Sequence, residues 1–326
     1  MFFSLSQKQK HNFPFHYELP NGLVLSTDDG WRVFNIKNFN IIFKGYANNL
    51  PCHKLVEQLL DNTQPHAKGN FCAFISDSHS TRLLHDTDRS FPLWINKNTI
   101  TNLQHLDEQI WADCVLTVDR DFSINKHYYK PYQKNTQQLT DDQIISQVHQ
   151  TILDTYEQFL THNTKPLKIF VSGGLDTITS WAYLDHFTKN YEIVDYEYMK
   201  YTNFYKRNCS LVRTHWGYRQ IHLWDHDCVL VIADKINTWY NDTNDVEDWI
   251  LNRNINDHQH WHLDKTITFT PFKDISILAS IITASKNLLI AQAKHGEINR
   301  QLINKLDGDK ISKISTQKNL NPMENV

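Results

Sequence analysis

The stretch LKIFVSGGLDTITSWAYL, Leu167 to Leu184, decides the reading of this chain. Leu167, Ile169, Phe170 and Val171 form a short apolar, partly β-branched run that suits a buried strand. Ile178, Trp181, Ala182, Leu184 and Phe187 then recur at the spacing of one helix face. Residues 172–176 are therefore predicted to make a tight strand-to-helix turn. The chain has nine glycines in 326 residues, and two of them stand side by side in this turn.

Such a turn has a chemistry. The first N–H groups of a helix have no partner within the helix and lie at the positive end of its dipole, so they attract anions. Gly173 and Gly174 let the backbone approach a phosphate closely, and Ser172 and Thr177 add hydroxyl donors. Asp176 is the odd member, because a carboxylate repels phosphate unless a cation lies between them. Mg²⁺ held by one or two carboxylates and phosphate oxygens removes that conflict. The turn thus reads as a cradle for magnesium pyrophosphate. A Gly-Gly turn with a capping serine also serves plain chain reversal in many proteins. No Gly-Lys-Ser/Thr follows, so it is not a Walker loop, and it does not match GxGxxG.

Composition narrows the class. The length favours two domains with sizeable cores. A formal charge of −3 gives no reason to expect nucleic acid or an anionic membrane as partner. The start, MFFSLSQKQKHNF, lacks the charge order and apolar length of a signal peptide, and no run of about 18 apolar residues suggests a spanning helix. Five scattered cysteines (Cys52, Cys72, Cys114, Cys209, Cys228) without a CxxC fit a reducing compartment. The expectation is a cytoplasmic protein.

Up to about residue 130 the chain reads as mainly β, with WRVFNI, FNIIFKGYA, NFCAFISD, TRLLHD and FPLWIN as strands and LPCHKLVEQLLDNT as a helix. The polar stretch YKPYQKNTQQ reads as a linker. Thr140-Asp-Asp-Gln is a capping box, and Ile144, Ile145, Val148, Ile152, Tyr156 and Phe159 continue it as a helix. A further strand is expected from Glu192 to Tyr198, and helices from Ile275 onward. This alternation predicts a parallel sheet with the cradle at a strand's carboxyl end.

VSGGLDT at a strand-to-helix turn resembles the SGGxD(S/T) loop of the PP-loop ATP pyrophosphatases, which cleave ATP between the α and β phosphates and adenylate a substrate. The first half widens the resemblance to asparagine synthetase and the β-lactam synthetases. FNIIFKGYANN, KGNFCAFISD and HDTDRSFPLWI follow the order of their amidotransferase half, with Asp88, Arg89, Pro92 and Leu93 resembling its DR-x-x-x-x-PL turn, although two residues rather than four separate the pairs here. Half the chain preceding the loop favours this group over argininosuccinate synthetase and the tRNA thiolation enzymes. FTPFKDISIL, with Pro271, Phe272 and Asp274, resembles the segment before the family's last helices.

The resemblance implies a fold in two parts. Residues 1–130 would be an Ntn-hydrolase-like, β-rich α+β domain, and 131–326 a parallel-sheet PP-loop domain of the adenine nucleotide α-hydrolase type. It also implies ATP and Mg²⁺ as cofactors, with small-molecule carboxylate and amine substrates, and it leaves a homo-oligomer open. Ser172, Gly173, Gly174, Leu175, Asp176 and Thr177 would hold the nucleotide, Val194 would lie near adenine, and Asp176 with Asp234 would hold the metal. Lys318 and Arg300 match the basic residues of the family's closing segment, where a lysine stabilises charge on the acyl intermediate. A solvated basic face is the plainer account of either residue.

Two departures matter. Working amidotransferases of this group need a cysteine directly after the initiator methionine, and here Phe2 stands there. The expected result is that purified protein releases no glutamate from glutamine, with or without ATP; release above a boiled control would contradict it. The family's GD-x-DE signature is also reduced to Ala233-Asp234-Lys235, with Asp242 and Asp245 nearby. Two alternatives follow: a PP-loop enzyme acting on a nucleobase or nucleotide carbonyl, and a non-catalytic scaffold. His258, His260 and His262 alternate in DHQHWHLD as a weaker metal candidate, and Asp225 or Asp227 in HLWDHD could ligate Mg²⁺, with a polar loop as the plainer reading.

Overall fold

The structure, a computed structural model, describes residues 3–10, 13–47, 54, 57, 60, 69–86, 93–102, 108–110, 114–128, 138–171, 175–195, 227–231, 267–273 and 275–306. These form two compact units: among the described residues, one holds those up to Tyr128 together with Ile267, and the other holds 138–171, 175–195, 227–231 and those from 268 onward. The architecture is mixed α/β.

The first unit contains two six-stranded sheets. In chain order the strands are β1 (Phe3–Ser6), β2 (Phe15–Glu18), β3 (Val24–Thr27), β4 (Arg32–Ile36), β5 (Phe39–Ala47), β6 (Gly69–Ser76), β7 (Ser80–His85), β8 (Leu93–Asn96), β9 (Thr99–Thr101), β10 (Glu108–Ile110), β11 (Cys114–Asp119) and β12 (Ile124–Tyr128). One sheet has the order β10-β8-β9-β1-β3-β2 and the other β12-β11-β7-β6-β5-β4. Pairings such as β1 with β3, β5 with β6 and β6 with β7 are antiparallel.

The run FCAFI in β6 shows why the second sheet is an inner layer. Successive strand residues point to opposite faces. Cys72 and Phe74 join a core that also takes Phe3, Leu5, Leu25, Leu93 and Ile100 from the first sheet. Phe71, Ala73 and Ile75 join a separate core on the other face, with Phe43 and Leu84. Both faces are apolar, so the strand reads as a continuous hydrophobic run rather than an alternation. Phe3 packs edge-on against Phe74 and Trp31, with ring centroids 4.9 and 6.0 Å away. The Trp31 indole N–H donates to Asp28 at 2.7 Å, and the buried Lys44 ammonium meets the same carboxylate at 3.1 Å. That sharing satisfies a charge pair that burial would otherwise penalise.

The second unit holds a four-stranded sheet of order β14-β13-β15-β16. Here β13 is Leu167–Val171, β14 is Glu192–Asp195, β15 is Val229–Val231 and β16 is Ile267–Phe269. β13 pairs in parallel with both β14 and β15. Five helices are described: α1 (Asp141–His162), α2 (Leu175–Phe187), α3 (Ile275–Ile281), α4 (Lys286–His295) and α5 (Glu297–Leu306). α1 starts at the expected capping box, with Gln143 N–H donating to Thr140 Oγ1 at 3.3 Å and Thr140 N–H to Gln143 Oε1 at 2.9 Å. The apolar stretch from Ile275 breaks after Ile281, and Ser285 caps α4.

Tyr156 on α1 ties the layers together. Its ring meets Phe269 of β16 edge-on, and its hydroxyl bonds the carbonyl and hydroxyl of Ser180 on α2 at 2.8 and 2.7 Å. Burial holds its pKa well above the usual phenol range. Beside it, His149 Nδ1 lies 2.6 Å from the Tyr183 hydroxyl. Burial, then the nearby charges of Lys305 and His186, lower the His149 pKa below its ordinary 6.5. The folded state then binds fewer protons than the unfolded state as pH falls. The contribution is whole above pH 6.5 and is lost progressively as pH falls through the depressed value. Urea denaturation across this range is expected to show an acid-side fall in stability. His149→Gln, which keeps a polar partner for Tyr183 but cannot titrate, should flatten that fall; an unchanged pH profile would contradict the assignment.

Candidate functional site

The candidate site begins where β13 ends. β13 has strand neighbours on both sides, and its parallel register sets Phe170 against Val194 and Val171 against Asp195. α2 starts at Leu175, so residues 172–174 connect a flanked parallel strand to a helix. Ser172, Gly173 and Gly174 themselves lie outside the described residues, as do Asp234, Lys318 and the histidines 258, 260 and 262.

Asp176 stands in the first turn of α2, half-buried, where a carboxylate complements the helix dipole. Its Oδ1 accepts a hydrogen bond from the Asn299 side-chain amide at 3.0 Å. Asn299, on α5, is 1% exposed and also donates to Thr179 Oγ1 at 3.1 Å. The Thr179 hydroxyl in turn donates to the Leu175 carbonyl at 2.7 Å. Thr177 is 3% exposed, which leaves its hydroxyl inside the protein rather than in solvent.

The α4–α5 turn presses against this helix start. Gly296 closes α4 in the left-handed conformation, with φ 66°. A Cβ at that position would collide with Leu175 Cδ2, the tip of a flexible side chain, so Leu175 would have to turn aside. Arg300 is one residue from Asn299 but is exposed, with its Nε donating to the His295 carbonyl at 3.1 Å. Of the expected site residues, the structure therefore gathers Leu175, Asp176 and Thr177, and it puts Val194 on the adjoining strand.

Asn299 and Gln292 were missed in the sequence. The available signal was an amide next to Ile298 and in line with Leu302 and Ile303 on the buried face of α5.

Among the described residues, no group of three or more His, Cys, Asp or Glu side chains gathers as a metal site, and no helix is long and apolar enough to cross a membrane. A cavity of about 940 Å³ opens at the opposite edge of the sheet, where β13 and β14 begin, lined by Glu157, Lys165, Lys168, Tyr191 and Glu192. Parallel α/β sheets bind ligands beyond the carboxyl ends of their strands, which favours the Asp176 end over this cavity.

Comparison with known proteins yields no matching family model and no matching curated relative. Among solved structures, the chain is similar to the glutamine phosphoribosylpyrophosphate amidotransferase of B. subtilis in complex with ADP and GMP. The identity is 9% and the TM-score 0.26, over 65% of this chain and 61% of that one. It is also similar to a structure described as the allosteric regulatory enzyme of purine biosynthesis, at 9% identity and TM-score 0.24, over 76% and 66% of the two chains. The chain thus spans about three fifths of the first of these proteins. Scores this low decide neither fold nor function.

Proposed function

We propose that the protein is an ATP-dependent, AMP- and pyrophosphate-forming amide synthetase that does not draw on glutamine. The observation that carries this reading is a half-buried acid, Asp176, in the first turn of a helix that follows a flanked parallel strand. The motif SGGLDT spans that junction.

The donor set suits a hard cation and phosphate. Asp176 offers carboxylate oxygens, and the start of α2 offers backbone N–H groups to an anion. Bound Mg²⁺ would neutralise charge building on pyrophosphate as it leaves. In the proposed reaction a carboxylate oxygen of the substrate attacks the α phosphorus of ATP, and the bond to the β-phosphate oxygen breaks. An amine nitrogen then attacks the acyl carbon, AMP departs, and the nitrogen gives up its proton. The chain's own task is to hold the phosphates at the turn and Asp176 beside them. Lys318, by resemblance, would stabilise the acyl-transfer step.

ATP–pyrophosphate exchange with a panel of carboxylic acids tests the reading. Exchange that depends on one class of acid is the expected result. No exchange with any acid, from protein that binds Mg-ATP, would favour the scaffold alternative, which the loss of the second acidic motif already supports.

A further inference from the structure

Asn299 does more than touch Asp176, because the direction of its amide is fixed. Gly296 ends α4 and directly precedes α5, so it has no side chain with which to cap the second helix. Gln292, from the last turn of α4, caps it instead. Its Oε1 accepts the backbone N–H of Ile298 at 2.7 Å and, more weakly, that of Asn299 at 3.4 Å. A backbone N–H can only donate, so this side of the Gln292 amide must be its oxygen. Its Nε2 therefore faces Asn299 and donates to Oδ1 at 2.6 Å.

With Oδ1 turned to Gln292, Asn299 presents Nδ2 to Asp176 and Thr179. Thr179 agrees with that polarity: its proton is given to the Leu175 carbonyl, which leaves its oxygen to accept. Gln292 and Asn299 are 2% and 1% exposed, so water does not compete for these bonds. Each amide is oriented by the one before it, starting from the backbone of α5.

We propose that Gln292 and Asn299 are positioning residues: a directional relay that ends in a donor aimed at Asp176 and fixes the carboxylate for a metal–nucleotide complex. This rests on the reading of Asp176 as the metal ligand. A donor on one carboxylate oxygen sets the rotamer and orients the group toward its metal, and loss of such a partner typically costs on the order of 10–100-fold in metal affinity. The relay also makes α4 and α5 part of the site, although neither belongs to the loop motif.

The test is ATP binding to the full chain by titration calorimetry, once with Mg²⁺ and once with EDTA. In Asn299→Ala the gain in affinity due to Mg²⁺ should fall by roughly 10–100-fold, while affinity in EDTA stays unchanged. Gln292→Met should act in the same direction without touching Asp176. Equal losses under both conditions, or no loss, would mean a merely structural role and would overturn the proposal. Asn299→Leu keeps the volume but removes the donor, and it gives the same readout if the alanine variant does not fold.

A second arm needs no nucleotide. A double-mutant cycle of Asn299→Ala with Asp176→Ala on urea stability should show coupling, and strict additivity would also overturn the relay. A wild-type protein whose ATP affinity ignores Mg²⁺ would defeat the metal reading, and the relay's purpose with it. Coupling that persists in the cycle would then identify the metal reading, not the contact, as the failure.

Discussion

Asp176→Asn is expected to fold like the wild type and to lose on the order of 10²–10³ in ATP–pyrophosphate exchange, the scale seen when one preorganised group that stabilises transition-state charge is removed. The fold should survive because the substitution is nearly isosteric. An asparagine keeps an oxygen at the place where Asn299 Nδ2 now donates at 3.0 Å. What disappears is charge. The carboxylate complements the start of α2, a benefit of about 0.3–1 kcal/mol at a helix N-terminus. A small drop in the urea midpoint is therefore consistent, whereas collapse is not. Mg-ATP affinity should fall with the exchange rate, since a neutral amide is a poor ligand for a hard cation. A well-folded variant with unchanged Mg-ATP affinity would remove the cradle assignment.

Gly296→Ala should destabilise the turn between α4 and α5 and, through Leu175, the start of α2. Two costs combine at this residue. The left-handed backbone at φ 66° penalises any Cβ by about 1–2 kcal/mol. The new methyl would also collide with Leu175 Cδ2, a side-chain tip that can move aside at little cost. Leu175 can relieve part of the clash by changing rotamer, but it is the residue next to Asp176, so relief there disturbs the site. The expected outcome is a loss of about 1–2 kcal/mol, set mainly by the left-handed backbone and seen as faster hydrogen exchange in α2 and α5. Adding Leu175→Ala should recover the steric share and leave the backbone share. Wild-type exchange rates in the single variant would show that the α4–α5 turn does not press on α2.

Local features of this protein were legible where the forces are local. The capping box at Thr140, the helical spacing through Phe159, the strand Leu167–Val171 and the helix Leu175–Phe187 follow from local contacts and periodicity. The strands β4 to β8 stood out as apolar runs between turn signals. The first sheet was hardest to foresee. β1 pairs with β9, and the Asn102 side chain, 99 residues along the chain, accepts the Phe3 N–H at 3.0 Å. No periodicity encodes such a pairing, because period-two alternation says which face a residue takes but not which strand it meets.

The site divides in the same way. By itself, the sequence determined the motif: two glycines, a serine and a threonine around Asp176, between a strand and a helix that the flanking periodicities mark. It also showed Phe2 where the resemblance asks for cysteine. Only the tertiary structure decided what supports Asp176. Asn299 lies 123 residues away and looks, in sequence, like one polar residue in an amphipathic helix. It becomes a donor to Asp176 because Gly296 lets α5 approach Leu175 and because Gln292 turns its amide. A buried amide takes its direction from its partners, and those partners are brought together only when the helices pack.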